Sequence, residues 1–238
     1  MSLINFIKNL VPSTIREQVR RYKRKKETGK FKNYDAKNIF TEIYSTNFWG
    51  DQESKSGTGS NSEQTKVLVE ELPRIFNEYN VTSVLDIPCG DFKWMQKIDL
   101  SEINYLGADI VDELISKNND RYSGSNINFK VIDLINDELP EVDLIICRDC
   151  LVHLSDEHIK KSLANIKKSG SKFLMTTSYK DKRSNYNITT GDWRALNLEK
   201  KPFDFDKPSD IIEESCSQGT HGEYSDKILA LWRVEDIP

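Results

Sequence analysis

Two aspartates at the ends of apolar runs are the residues whose type and spacing speak most directly of chemistry. Asp86 closes Val84-Leu85 and opens Ile87-Pro88-Cys89-Gly90-Asp91-Phe92, a tight turn with one glycine, after which a helical pattern resumes. Strand, turn and helix in that order make a nucleotide-binding first βα turn. Asp109 closes the next apolar run, which starts at Ile103, about twenty residues on, where a carboxylate can accept from both hydroxyls of a ribose. The turn lacks the G-x-G-x-x-G that a dinucleotide pyrophosphate requires, so a nicotinamide-dependent oxidoreductase stands only as a distant alternative.

The elements that must carry these residues alternate. Apolar runs at 83–86, 105–109, 128–131, 144–147 and 173–177 read as strands, and 93–98, 111–119 and 156–168 read as helices. That alternation argues an α/β fold with a parallel sheet and helices on both faces. Two last strands, 210–216 and 227–234, read as a terminal antiparallel hairpin. Upstream, a short helix fits 34–44, and Asn61 or Ser62 caps a helix over 63–79 with Val67, Leu68, Leu72, Ile75 and Phe76 on one face. Between them, 47–60 is rich in glycine and hydroxyls and must be a loop. A flexible linker is the plain reading, but its Phe48-Trp49 opening and its glycine-rich run into a helix N-terminus favour a lid or substrate loop. The stretch 179–208 is long for a loop, and Tyr179, Tyr186, Trp193, Phe203 and Phe205 argue against disorder. The chain therefore divides into a basic helical extension (1–45), a lid loop and leading helix (46–80), and a core (81–238) with an insert at 179–208.

At 238 residues with 37% hydrophobic content, the chain can bury a core without disulfides or metal. No apolar run approaches the roughly 20 residues of a membrane span, and the start resembles no signal peptide. Cys89, Cys147, Cys150 and Cys216 are not spaced as a disulfide framework, so a reducing, cytoplasmic setting is expected. Cys147 and Cys150 form a C-x-x-C without a second pair or histidines at zinc spacing, so no metal site is expected. The net charge of −4 conceals an asymmetry, because residues 1–32 hold ten Lys and Arg against Glu17 and Glu27. This basic head reads as an interfacial membrane helix, an anionic-partner patch or a docking arm. The plainer reading is a solvated helix packing its short apolar face on the body or on a second subunit. Nucleic acid is not expected, since the basic run lacks interleaved aromatics and the body is acidic.

From Val81 to Val234 the sequence resembles the class I S-adenosylmethionine-dependent methyltransferases. The resemblance rests on Leu-Asp-Ile-Pro-Cys-Gly-Asp-Phe, Gly-Ala-Asp-Ile, Val-Ile-Asp-Leu and Val-Asp-Leu-Ile-Ile-Cys-Arg-Asp-Cys-Leu-Val-His-Leu, in that order. It implies a Rossmann-like seven-stranded, mostly parallel sheet with an antiparallel last strand, and S-adenosylmethionine as cofactor. By similarity Asp86 lies near the methionine amino group, Gly90 lets the cofactor pass, and Asp109 binds the ribose. Asp133 and Leu134 lie at the adenine, Arg148 and Asp149 line the methionine side, and Pro88, Cys89 and Ile110 belong to the same contacts. Pro88 and Phe92 stand where the family usually has glycine, which leaves Gly90 as the point of closest backbone approach. Trp-Gly-x-x-Glu-Ser-x-Ser-Gly-x-Gly-Ser before the core and Thr-Gly-Asp-Trp-Arg-x-Leu-Asn-Leu after it resemble small bacterial methyltransferases associated with capsule and surface polysaccharide, including sugar or phosphoramidate modification.

Methyl transfer to a hydroxyl gains from a general base with a pKa near 7, which points to histidine. His153 follows the fourth strand at the ligand-binding edge, and His221 lies in the loop after the sixth. The same topology puts Tyr179, Asn185, Asp192, Trp193 and Arg194 over the site as contacts for a small-molecule or glycan acceptor. Trp49, Ser56 and Gly57 would close from the other side. A methyltransferase-like module without catalysis, binding a partner through its basic head, is the competing reading.

Overall fold

The structure, a computed structural model, describes residues 13–181, 184–218 and 223–238. The pattern over Leu3 to Leu10 and the His221 loop lie outside the described residues. Seven strands are β1 (Ser83–Asp86), β2 (Asn104–Asp109), β3 (Ile127–Val131), β4 (Leu144–Cys147), β5 (Phe173–Tyr179), β6 (Asp210–Glu213) and β7 (Lys227–Arg233). They form one sheet in the order β3-β2-β1-β4-β5-β7-β6. β1 to β5 pair in parallel, and β7 enters antiparallel between β5 and β6. This is the Rossmann-like sheet with one antiparallel strand that the motifs imply.

Among the described residues five α-helices flank it: α1 (Ser13–Glu27), α2 (Ala36–Ser45), α3 (Ser62–Glu78), α4 (Asp112–Tyr122) and α5 (Asp156–Lys168). Side-chain alternation sorts the core into two layers. Leu85, Ile145, Leu174, Ala230 and Trp232 pack on one face with Ile159, Leu163 and Ile166 of α5. Val84, Ile146, Met175, Leu229 and Leu231 pack on the other with Leu68, Leu72 and Ile75 of α3 and Leu114 of α4. Burying two faces explains why the central strands read as largely apolar rather than alternating. Side-chain caps set the helix starts: Asp35 accepts from the Asn38 N–H, Asn61 from Gln64, and Ser155 from His158.

Three expectations are corrected. The helix over 93–98 is a single 3₁₀ turn, Met95–Lys97. Phe92 stands at φ +59, which breaks helical propagation, and its ring is buried among Tyr105, Tyr122 and Phe129. β6 ends at Glu213 rather than at 216, because Glu214 turns inward to meet Arg148 and Lys227. The apolar face of α1 does not pack on the body; Ile15, Val19 and Tyr22 are exposed, while Arg20 and Arg24 turn inward. Among the described residues no helix is long and apolar enough to cross a membrane.

Candidate functional site

A cavity of about 630 Å³ opens at the carboxyl edge of the sheet, within the usual size of small-molecule sites. Asp86 ends β1, Asp109 ends β2, Arg148 and Asp149 follow β4, and Tyr179 ends β5, so parallel strands deliver all five to one edge. Every cofactor contact expected from the sequence lines this space: Asp86, Pro88, Cys89, Gly90, Asp109, Ile110, Asp133, Leu134, Arg148 and Asp149.

At one end the lining suits an adenosyl group. Asp86 is buried and accepts from the Tyr105 hydroxyl at 2.6 Å. Burial pushes its pKa up to about 7, against the pull of Tyr105 and the Arg148 charge. Burial likewise raises Asp109 to about 6, opposed by the N–H groups of Val111, Gly90 and Ile110. Two acids that are costly to ionise in the free protein are ready to meet hydroxyls and a cation. Gly90 stands at φ +54 and a Cβ there would run into the Ser56 hydroxyl, so the turn needs glycine both for its backbone and for its close approach. Asn118 holds the Gly90 carbonyl at 2.8 Å. Beyond Asp109, Ile110, Val111, Ile132, Leu134 and Ile135 supply apolar walls. The Asp133 carboxylate already caps its own turn, accepting from the Ile135 N–H and the Asn136 amide at 2.8 and 2.7 Å, and its remaining lone pairs stay available to an exocyclic amine. Acids beside apolar walls, with a glycine where the chain must pass close, fit S-adenosylmethionine.

Under the middle of the cavity lie four charges, Arg148, Glu214 and Lys227 buried and Asp149 half-buried. Arg148 bonds Glu214 at 2.6 Å and the Gly59 carbonyl at 2.8 Å, and Lys227 bonds Asp149 at 2.7 Å while standing 3.1 Å from Glu214. Burial would raise Asp149, but the Lys227 and Arg148 charges hold it well below the usual carboxylate range. Its backbone sits at φ +51, fixed by an N–H bond to the Thr177 hydroxyl at 2.8 Å. The Glu214 Oε1 is buried without a partner among the described residues.

The other end is aromatic. Trp49 lies against His153, ring centroids 4.8 Å apart, and Tyr179, Trp193 and Tyr224 meet edge to face at 5.0 to 6.4 Å. His153 Nδ1 is 2.9 Å from the Asp192 carbonyl. A carbonyl only accepts, so Nδ1 carries the proton and Nε2 keeps its lone pair. Burial lowers the His153 pKa, with the Asp192 carbonyl and the Asp149 charge opposing, so the ring is neutral at pH 7.

The loop 47–60 closes over the first turn. Ser54 donates to Asp91 at 2.9 Å, and Ser56 accepts from the Asp91 N–H at 3.1 Å. Trp49, Ser56, Gly57, Tyr179, Asp192 and Trp193 all line the cavity. Two expected acceptor contacts do not. Asn185 spends its side chain on the backbone of Asn197, Lys200 and Lys201. Arg194 is fully buried, donating to the Leu154 carbonyl at 2.8 Å and to Asp156 at 2.9 Å. It braces the turn that carries His153 instead of meeting a ligand. The Asp192 carboxylate is turned to Arg24, at 3.4 Å. His221 lies outside the described residues.

Sequence reasoning missed Arg20, Arg24, Lys227 and Tyr224 as lining residues. Arg20 pairs with Glu223, Arg21 stacks on Tyr186 at 4.0 Å and Arg24 lies over Trp193 at 5.2 Å, so α1 forms a wall of the aromatic end. The only prior signal was the charge asymmetry of the head. Among the described residues no group of His, Cys, Asp and Glu could hold a metal ion, and all four cysteines are free thiols.

Residues 84–170 match a family described as a methyltransferase domain. Among solved structures, the N-methyltransferase NodS from Bradyrhizobium japonicum with S-adenosylhomocysteine is 17% identical, with a TM-score of 0.57 over 80% of this chain and 97% of that one. Human N-acetylserotonin methyltransferase with S-adenosylmethionine is 16% identical, with a TM-score of 0.55 over 84% of this chain and 59% of that one. No curated protein sequence matches. The chain thus carries the Rossmann-like methyltransferase fold.

Proposed function

We propose that this chain is an S-adenosylmethionine-dependent methyltransferase whose acceptor atom is an oxygen of a small polyhydroxylated compound. Bacterial sugars, capsular polysaccharide units and phosphoramidate intermediates are the class the sequence resemblance favours. The observation that carries the reading is His153: with Nδ1 tied to a carbonyl and Nε2 without a partner among the described residues, it stands in the same cavity as the acids of the adenosyl end.

S-adenosylmethionine, when bound, supplies an electrophilic methyl group on a sulfonium. Asp109 would hold the ribose hydroxyls, Asp133 and Leu134 the adenine, and Asp86 the methionine amino group. The protein's work is then alignment and exclusion of water. Trp49 and Trp193 give a sugar two apolar faces to stack on. His153 Nε2 takes the hydroxyl proton as the oxygen becomes nucleophilic, while Nδ1–H stays on the Asp192 carbonyl and keeps the ring aimed. Asp149 stabilises the imidazolium that forms, since its charge already raises the His153 pKa against burial.

Calorimetry with S-adenosylhomocysteine tests the cofactor: binding is expected, weakened about tenfold or more by Asp109→Ala, as for a lost charged hydrogen bond. No heat, or an unaffected variant, would overturn it. Labelled-methyl uptake into pools of sugars, sugar phosphates and amines tests the acceptor, and labelling of amines alone would overturn oxygen as the target.

A further inference from the structure

Helix α1 has two faces in different surroundings. Arg20 and Arg24, four residues apart, turn to the cavity. On the opposite side Ile15, Val19 and Tyr22 are 48%, 49% and 72% exposed. Their spacing of four and three aligns them in one stripe. An ordinary surface helix buries its apolar stripe, whereas this one exposes the stripe and turns two arginines inward. Lys26 continues the stripe, with Lys23 on one flank and Lys25 on the other, all three exposed. A short apolar stripe edged with lysines is the pattern of a helix lying in a bilayer interface.

We propose that α1 docks the protein on an anionic membrane surface, with Ile15, Val19 and Tyr22 entering the boundary between headgroups and acyl chains. Charge complementarity selects this occupant. Residues 13–27 hold seven Lys and Arg against two Glu, while the whole chain is at −4. The acidic body is repelled by anionic lipid, so this helix is the face that approaches. A second copy docked here would set lysines against lysines. Membrane contact and cavity wall become two sides of one helix, and the inference stands whether or not the cavity methylates.

The test is cosedimentation of the full chain with vesicles of equal parts phosphatidylglycerol and phosphatidylcholine, beside vesicles of phosphatidylcholine alone. Partition is expected on the anionic vesicles, falling steeply as salt rises. The triple variant Ile15→Ser, Val19→Ser, Tyr22→Ser should lose about tenfold in partition, with melting temperature and S-adenosylhomocysteine binding unchanged. Lys23→Glu with Lys25→Glu should lose at least as much. No partition, equal partition on neutral vesicles, or partition indifferent to both variants overturns the proposal. A dimer in gel filtration that the triple variant dissolves also overturns it, by assigning the face to a second copy.

Discussion

His153 shows how one backbone contact decides what a side chain can do. With Nδ1 committed to the Asp192 carbonyl, Nε2 must be the basic atom. Burial holds the pKa below the ordinary 6.5, so the base form prevails at neutral pH. The rate constant kcat should be flat above neutrality and fall as pH drops through that lowered value. His153→Gln should abolish this acid limb and cut kcat by ~10²–10⁴, the usual worth of a general base, while S-adenosylhomocysteine binding survives. Asp86 and Asp109 act in the opposite sense. Their folded values, about 7 and about 6, lie above those of ordinary carboxylates, so the stability they contribute is complete below about pH 4 and is lost as pH rises toward 7. Asp86→Asn, which keeps an acceptor for Tyr105, should flatten that slope in thermal melts. It should be more stable than the parent at pH 8 by on the order of 1 kcal/mol, and should bind cofactor more weakly. These acids were legible in the sequence because each ends a short apolar run, a local pattern. The tautomer of His153 was not, since it depends on a carbonyl that the fold brings in from a distant loop.

Among the elements, the insert after β5 clamps the turn that carries His153 as well as lining the cavity. Gly191 N–H bonds the His153 carbonyl at 2.9 Å, Arg194 N–H bonds Val152 at 3.1 Å, and the Arg194 guanidinium reaches Leu154 and Asp156. Arg194→Ala should therefore leave buried carbonyls unpaired at a cost of about 2–4 kcal/mol. Arg194→Lys should restore much of the stability but little of kcat, a split that a purely structural arginine would not give. Gly90→Ala should push Ser56 away from the first turn and loosen loop 47–60, lowering cofactor affinity more than melting temperature; calorimetry on the variant checks this. Strand positions were readable to within a residue or two over most of the sheet, because β4, β5 and all but the first residue of β1 are buried, which keeps their sequences largely apolar. The orientation of α1 was not. Arginines on a lysine-rich helix look solvated until the acids that meet them, Asp192 and Glu223, are folded into place.

For the molecule as a whole, the four charges under the cavity join three separated stretches of chain. Arg148 and Asp149 come from the end of β4, Glu214 from the end of β6, and Lys227 from the start of β7. Two cations balance two anions in a buried setting, so removing one leaves a charge uncompensated. Glu214→Gln should cost about 3–5 kcal/mol by that argument, measured by denaturant unfolding, and Glu214→Gln with Lys227→Met should recover part of it. The single residues were visible in the sequence, but nothing local linked them.

The position of β7 carries this further. It follows β6 in the chain, yet it sits inside the sheet between β5 and β6. Until β7 pairs, the edge of β5 is open and Asp149 and Glu214 lack the Lys227 charge. The pairing that closes the sheet is thus the same one that brings Lys227 to the floor of the cavity. Sheet closure and completion of the binding cavity are therefore one cooperative step, and loss of β7 pairing removes both.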